Sequence, residues 1–570
     1  MFTHRPGQID PLARGGGAFG GVARDQADRP SFGGASAPGG GADKSGRPTA
    51  CVIGAGFGGL AAAMRLGAKG YHVVLLDKLD TPGGRGSAIH QGGYRFDLGP
   101  TIVTVPEVFQ SLWAACGRRF EDDVDLRALD PFYKIRFDDG SHFTAGGDVD
   151  ALLEEAARLS PQDRPGAERL LKGAETRYKV AFNGLGRRPM HALWETIKVL
   201  PSFAWLRADR SIYRHAAAHV RDERLRMAFS FHPLFIGGDP FAVTSMYALV
   251  SHLEGAYGVH YAMGGTVAIA EAMVKVIRAQ GGEVRLGVEV DEILAEDGRA
   301  AGVRLGDGQV IPAALVVSNA DAGHTYDRLL RKRTKRRWTS AKLRRYRWSM
   351  GLFVWYFGTK GTAGRWPETG HHTIQVGPRY RGLVKDIFRR GALADDMSLY
   401  VHRPSVTDPS VAPEGDDAFY VLSPVPHLGH ANAVDWEKET EVYRRKVLAR
   451  LEETVLPGLG ETITESYTLT PPDFEKRYLS PYGSGFSIEP RILQSAWFRP
   501  HNKSEELDGL YLVGAGTHPG AGLPGVICSA EVIDQLIPEA RAHADAAVQA
   551  RLADAETLPA ELSAAGVKHG

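Results

Sequence analysis

Apolar positions in this chain first organise themselves at residue 50. Cys51-Val52-Ile53 is a short continuous apolar run, the pattern of a strand buried on both faces. After Gly54-Ala55-Gly56-Phe57-Gly58-Gly59 the spacing becomes helical, carried by Leu60, Met64 and the alanines between them. Gly70 ends that helix, and Val73-Val74-Leu75-Leu76 reads as a second buried strand stopping on Asp77. From about 150 to 250 the pattern is mostly helical, with segments at 150–159 and 167–180. Residues 190–206 are unusually apolar and aromatic. The pattern favours a core helix broken at Pro201; the alternative is an interfacial segment that touches lipid or admits an apolar substrate. Residues 229–249 form an apolar element broken by Gly237-Gly238-Asp239-Pro240. A helix is expected at 267–279, then strands from Glu283, at 287–294, at 302–305 and at 314–318, the returning β-elements of the nucleotide domain begun at 51. The helical stretch before them is therefore an insertion. Residues 350–357 and 419–425 predict strands of a second sheet.

Composition narrows the classes. A chain of 570 residues has room for more than one domain. A formal net charge of +1 gives no overall pull toward nucleic acid. Cys51, Cys116 and Cys528 are too far apart for a disulfide framework or a metal site, which fits a reducing cytosol. No apolar run approaches the roughly 18 residues of a spanning helix, so membrane contact would be peripheral. Residues 1–47 are rich in Gly, Ala, Pro and Arg without a secretory apolar core, which predicts a disordered extension. Residues 331–347 are the most basic run, fitting equally a solvated helix face or contact with anionic lipid headgroups. His371-His372 is the only adjacent histidine pair; with no carboxylate or third histidine at ligand spacing, no metal site is expected.

The chemistry-bearing residues begin at the glycine loop. Gly54 permits the tight turn, Gly56 the approach of a pyrophosphate, and Gly59 close helix–strand packing. The helix start points unpaired N–H groups at the phosphates. Asp77 stands where a ribose hydroxyl is bound, and an acid there argues against NADP. Gly83-Gly84-Arg85 and the stretch Phe96 to Thr101 add a second backbone approach and a fixed cation, which together point to FAD rather than NAD. Near the end, a strand at 510–513 empties into a glycine-dense loop and a helix from about Val526, able to line a flat ring system with backbone. Glu195, the one acid in 190–206, is a candidate proton acceptor if apolar surroundings raise its pKa, or else a surface carboxylate.

Eight stretches carry a resemblance: GAGFGGL (54–60), GGR (83–85), DLGPT (97–101), FHPLFIGGDPF (231–241), SNADAGHTY (318–326), PHLGHAN (426–432), QSAWFRPHN (494–502) and GAGTHPGAGLPGV (514–526). In this order they resemble the bacterial carotenoid desaturase family, most nearly its phytoene desaturases, over about 49–540. The resemblance implies an α/β fold: a glutathione-reductase-like FAD-binding Rossmann domain with an inserted substrate sheet domain and a helical membrane-facing domain. The FAD domain would comprise 48–150, 256–325 and 491–540, the helical domain 151–255, the substrate domain 326–490, and 541–570 an Ala-rich tail. It implies that Gly54, Gly56, Gly58 and Gly59 hold the pyrophosphate of FAD, and Asp77, with Lys78 beside it, the ribose. Gly84 and Arg85 would lie by the phosphates, with Gly99, Pro100 and Thr101 also at the cofactor. Val290 would flank the adenine, and Gly514, Gly516, Pro524, Gly525 and Val526 would reach the ribityl chain or flavin ring. Two departures are Asp77 for the commoner Glu and Asp239 for the usual Asn. The implied activity is successive desaturation of a C40 carotenoid, 15-cis-phytoene, by hydride transfer to flavin. The implied setting is peripheral, on the cytoplasmic side of the inner membrane, with quinone or oxygen as electron acceptor and a possible homo-oligomer. Alternatives are a desaturase of C30 or hydroxy- or methoxylated carotenoids, a retinol-type saturase, a flavin amine oxidase, and a non-catalytic isoprenoid-binding chaperone of the same architecture.

Overall fold

The computed structural model describes residues 46–333 and 336–543, together with Gly41 and Asp43. The expectations for residues 1–40 and for most of the Ala-rich tail lie outside the described residues.

The apolar runs build a five-stranded sheet in the order Leu510–Leu512, Leu315–Ser318, Thr49–Ile53, His72–Asp77, Glu283–Leu286. Every neighbouring pair is parallel. Alternate side chains face different layers. Ala50, Val52, Val73, Leu75 and Val317 pack with the helices Phe57–Ala68, Thr266–Ala279 and Leu523–Asp534. Cys51, Ile53, Val74, Leu76 and Val316 pack with Val290, Ile293 and Val303 of a three-stranded antiparallel sheet. That sheet is built of Val290–Glu296, Arg299–Leu305 and Val310–Pro312, so the strands expected from Glu283 onward divide between two sheets. Its strands bury only one face, so their apolar residues alternate with charged ones such as Asp291, Glu292 and Arg304.

The strands expected at 350–357 and 419–425 pair antiparallel from Gly351↔Val425 to Thr359↔Asp417 inside a seven-stranded sheet. That sheet also takes Tyr133–Arg136 and His142–Ala145, which lie in the 48–150 stretch that the resemblance assigns to the FAD domain. Tyr133–Arg136 joins the sheet through His372–Gln375, more than two hundred residues away, and carries His142–Ala145 with it, so local pattern could not place the pair.

Two further expectations change. Leu193–Trp205 is a helix with no buried residue, and Trp194 and Trp205 are 58 % and 73 % exposed; it is not a core helix. The basic run is not one solvated helix face either: among its described residues only Ser340–Arg345 is helical. Trp338 is buried, and Arg333 pairs with fully buried Glu506 at 2.8 Å. Among the described residues no helix is long and apolar enough to cross a membrane.

Candidate functional site

A cavity of about 750 Å³ starts at the carboxyl ends of the parallel strands, where open α/β sheets bind ligands. Gly54 turns the chain out of its strand at φ +95°. A Cβ on Gly59 would stand 1.9 Å from the Gly54 carbonyl oxygen, so only glycine lets this helix pack so closely on its loop. Gly54, Gly56 and Gly58 line the cavity, whereas Gly59 sits behind its wall. The helix start at Phe57 has no side-chain cap and no acid in its first turn. Its N–H groups are left for an anion.

Asn319 underlies this loop. Its Nδ2 donates to the Gly54 carbonyl at 3.4 Å, and a Cβ on Gly56, Gly58 or Gly514 would collide with its amide. Asn319 belongs to the 318–326 stretch, but local sequence gives it no role of its own. The available signal was its place just past the strand Leu315–Ser318, which lies beside the first strand.

Asp77 lines the cavity and braces the loop: Oδ2 accepts from the Ala55 N–H at 2.6 Å and Oδ1 from the Leu79 N–H at 2.7 Å. Burial raises its pKa, and these two N–H bonds only partly counter that. Each oxygen keeps a second lone pair for a ribose hydroxyl. Val290 and Lys78 line the same region, Lys78 Nζ donating to the Lys476 carbonyl at 3.1 Å.

Arg85 also lines the cavity. One amino group donates to Ser480 Oγ at 2.7 Å, while its buried Nε has no partner. A buried guanidinium with an idle donor beside glycine backbone and a bare helix N-terminus is the setting a diphosphate satisfies. Gly84, at φ +58°, keeps the turn open. A Cβ on Gly99 would meet the Arg85 carbonyl at 1.9 Å, so Gly99 lets the next stretch close on this turn. Pro100 and Thr101 line the cavity beyond it. Gly514, Pro524, Gly525 and Val526 also line the cavity, but Gly516 packs inward against Ala322. The residues present fit FAD.

Much of the remaining lining is apolar or aromatic: Ile197, Leu200 and Phe203 of the exposed helix, and Phe235, Tyr247 and Phe486 from the interior. Glu195 is not part of it. It is half-buried, its carboxylate paired with Lys198 at 3.0 Å. Four acids line the cavity, Asp77, Glu289, Asp321 and Glu254, the last with His232 beside it at 3.2 Å. Sequence reasoning missed Glu254 and His232, because neither sits in a recognisable pair along the chain. Asp239 is buried beside Glu489 and Arg389, outside the lining.

The expectation of no third histidine is also corrected. Strand pairing sets His402 opposite His372, and His402 Nε2 lies 3.1 Å from His371 Nε2. Burial pushes all three imidazoles below their ordinary range. His371 also bonds Thr407, and His372 bonds Tyr400.

The chain matches the family described as flavin containing amine oxidoreductase over residues 57–531. It is 65% identical over 505 residues to a phytoene desaturase (neurosporene-forming) of Cereibacter sphaeroides, covering 88% of this chain and 97% of that protein. It is 43% identical to a phytoene desaturase (lycopene-forming) of Pseudescherichia vulneris, covering 86% and 98%. The solved structure of putrescine oxidase bound to putrescine superposes with a TM-score of 0.57 at 15% identity, covering 88% and 99%, a likeness of fold. With the glycine loop, the buried arginine and an apolar cavity continuous with them, these matches establish that the chain belongs to the flavin containing amine oxidoreductase family and, within it, to the bacterial carotenoid desaturases.

Proposed function

We propose that this protein is an FAD-dependent phytoene desaturase that takes 15-cis-phytoene through successive C–C to C=C desaturations and stops at neurosporene, one step short of lycopene. The observation that carries this reading is one cavity whose cofactor-holding wall runs without a break into an apolar, aromatic channel. The 65% identity to a neurosporene-forming relative, against 43% to a lycopene-forming one, favours the shorter product.

FAD supplies a hydride acceptor, which a hydrocarbon with no carbonyl to polarise requires. The protein's part is binding, alignment and exclusion of water. Gly54, Gly56, Gly58 and the helix start hold the pyrophosphate with Arg85, while Asp77 takes the ribose and Val290 flanks the adenine. Gly514 and residues 524–526 lie along the ribityl and ring portion, with Gly99, Pro100 and Thr101 also at the cofactor. Gly59 and Gly516 act from behind, by letting backbone pack closely. The aliphatic and aromatic side chains that dominate the lining support a hydrocarbon over a polyamine substrate. Channel walls of this kind align the chain so that a chosen pair of carbons meets the acceptor.

The exposed face of Leu193–Trp205, continuous with the cavity lining, supports a helical membrane-facing domain that draws substrate from lipid. The basic residues of 331–347 support a cytoplasmic location, peripheral on the inner membrane. The finer assignment of the nucleotide domain as glutathione-reductase-like belongs to the same reading, as do a quinone or oxygen acceptor and a homo-oligomer. The test is chromatography of pigments formed from 15-cis-phytoene in liposomes. Neurosporene as the end product is expected; accumulation of lycopene overturns the chain-length assignment, and no coloured product overturns the substrate.

A further inference from the structure

Desaturation removes a proton as well as a hydride, and the carboxylate first expected to take it lies outside the cavity. On the desaturase reading, we propose that Glu254, held in place by Tyr133 and His232, accepts that proton.

The helix Leu249–Tyr257 turns Leu249, Val250, Leu253 and Glu254 toward the cavity. Glu254 is buried there. The Tyr133 hydroxyl donates to Oε2 at 2.8 Å, and His232 Nε2 lies 3.2 Å from the same oxygen. Both partners load Oε2; among the described residues Oε1 has no protein partner. His232 Nδ1 is buried without a partner too. Burial, then the charge of Glu254, pushes the Tyr133 phenol well above its usual range, so it stays a donor. A carboxylate with one open oxygen in an apolar pocket is costly, and a glutamine would serve the same packing.

The pair is also connected to the cofactor wall through side-chain contacts. Thr101 bonds the Tyr400 hydroxyl at 2.5 Å. The Tyr400 ring meets Phe235 edge-on at 5.5 Å, Phe235 meets Phe231 at 5.4 Å, and Phe231 meets His232 at 4.4 Å. A contiguous set of rings thus joins the Gly99-Pro100-Thr101 stretch to Glu254.

The step balances as follows. One substrate carbon loses hydrogen with its bonding pair, as hydride to FAD. Its neighbour loses a proton to Glu254 Oε1, and the electron pair left behind becomes the second bond of C=C. Glu254 contacts the reacting chain; His232 and Tyr133 are positioning residues.

Glu254→Gln keeps the volume and removes the base. Three quantities are measured: bound FAD, phytoene binding to the flavin-free protein in phosphatidylcholine liposomes, and the anaerobic single-turnover rate of flavin reduction by phytoene. We expect the first two within twofold of wild type and the third lower by about 10²–10⁴. Glu254→Asp, which keeps the charge but shortens the reach, should show an intermediate loss with binding intact. It carries the test if the glutamine variant fails to fold. A wild-type rate in either variant overturns the inference, as does a loss of phytoene binding that accounts for the lost rate. A wild-type protein whose flavin phytoene does not reduce refutes the desaturase reading itself, and the inference with it.

Discussion

Replacing Trp194 and Trp205 with serine should detach this protein from membranes while leaving its catalytic interior alone. The helix that carries them has no buried residue, and neither side chain lines the large cavity. Their exposures are 58 % and 73 %. Full burial of a large apolar side chain is worth about 1.5–3 kcal/mol, so moving the exposed portions into lipid is worth ~2–4 kcal/mol for the pair. At about 1.4 kcal/mol per tenfold, the double variant should partition about 30- to 600-fold more weakly. Co-sedimentation with neutral phosphatidylcholine vesicles isolates this apolar term from headgroup electrostatics. FAD content should be unchanged, and so should conversion of phytoene presented in detergent micelles. A change in partition below about threefold would refute the membrane-facing assignment and leave the helix as a cover over the cavity.

Three other outcomes follow from the same geometry. Gly59→Ala puts a Cβ 1.9 Å from the Gly54 carbonyl, so the loop must move by about an ångström at a cost of about 1–3 kcal/mol; purified protein should lose FAD, and stoichiometric retention would contradict the site. Changing Arg336, Arg344 and Arg345 together to glutamine should weaken binding to phosphatidylglycerol vesicles by about 100-fold, at about 1 kcal/mol each, with no effect on neutral ones. Arg337 is left out because it pairs with Glu505 at 3.4 Å and stacks on Trp497. Asp417→Ala, which strands the buried Arg403 guanidinium 2.7 Å away, should cost about 3–5 kcal/mol in denaturant unfolding at neutral pH. Burial opposes the charge of Asp417, but Arg403, Ser405 and Thr362 outweigh it and hold the carboxyl below its ordinary range. A depressed folded pKa stabilises above the unfolded value of about 3.9, so the wild-type advantage should be full at neutral pH and shrink as pH falls below about 4.

What could be read from the chain was what local sequence encodes. The strand, glycine loop, helix and second strand from Thr49 to Asp77 are contiguous, so their spacing declares them before any tertiary contact is known. The same holds for the central strands Gly351–Thr359 and Asp417–Val425, whose apolar runs are long. What could not be read depends on register between distant segments. Asn319 reaches the first glycine loop because its strand pairs with Thr49–Ile53, and His402 reaches His371 because two short strands pair antiparallel. Glu254 and His232 meet through the packing of a helix on a 3-10 turn, with Tyr133 arriving from a third element. Glu195 misled because apolar neighbours along a helix say nothing about which way the acid points; here it pairs with Lys198 and is not part of the lining. The exposed tryptophans misled for a related reason: apolarity predicts burial against something, and that something need not be protein.

The most direct test of the central claim is anaerobic reduction of the bound flavin, followed by its visible absorbance, on adding 15-cis-phytoene in liposomes or, separately, putrescine. The account predicts bleaching with phytoene, a coloured polyene formed in step with it, and no response to putrescine. Bleaching by the amine with none by phytoene would contradict it.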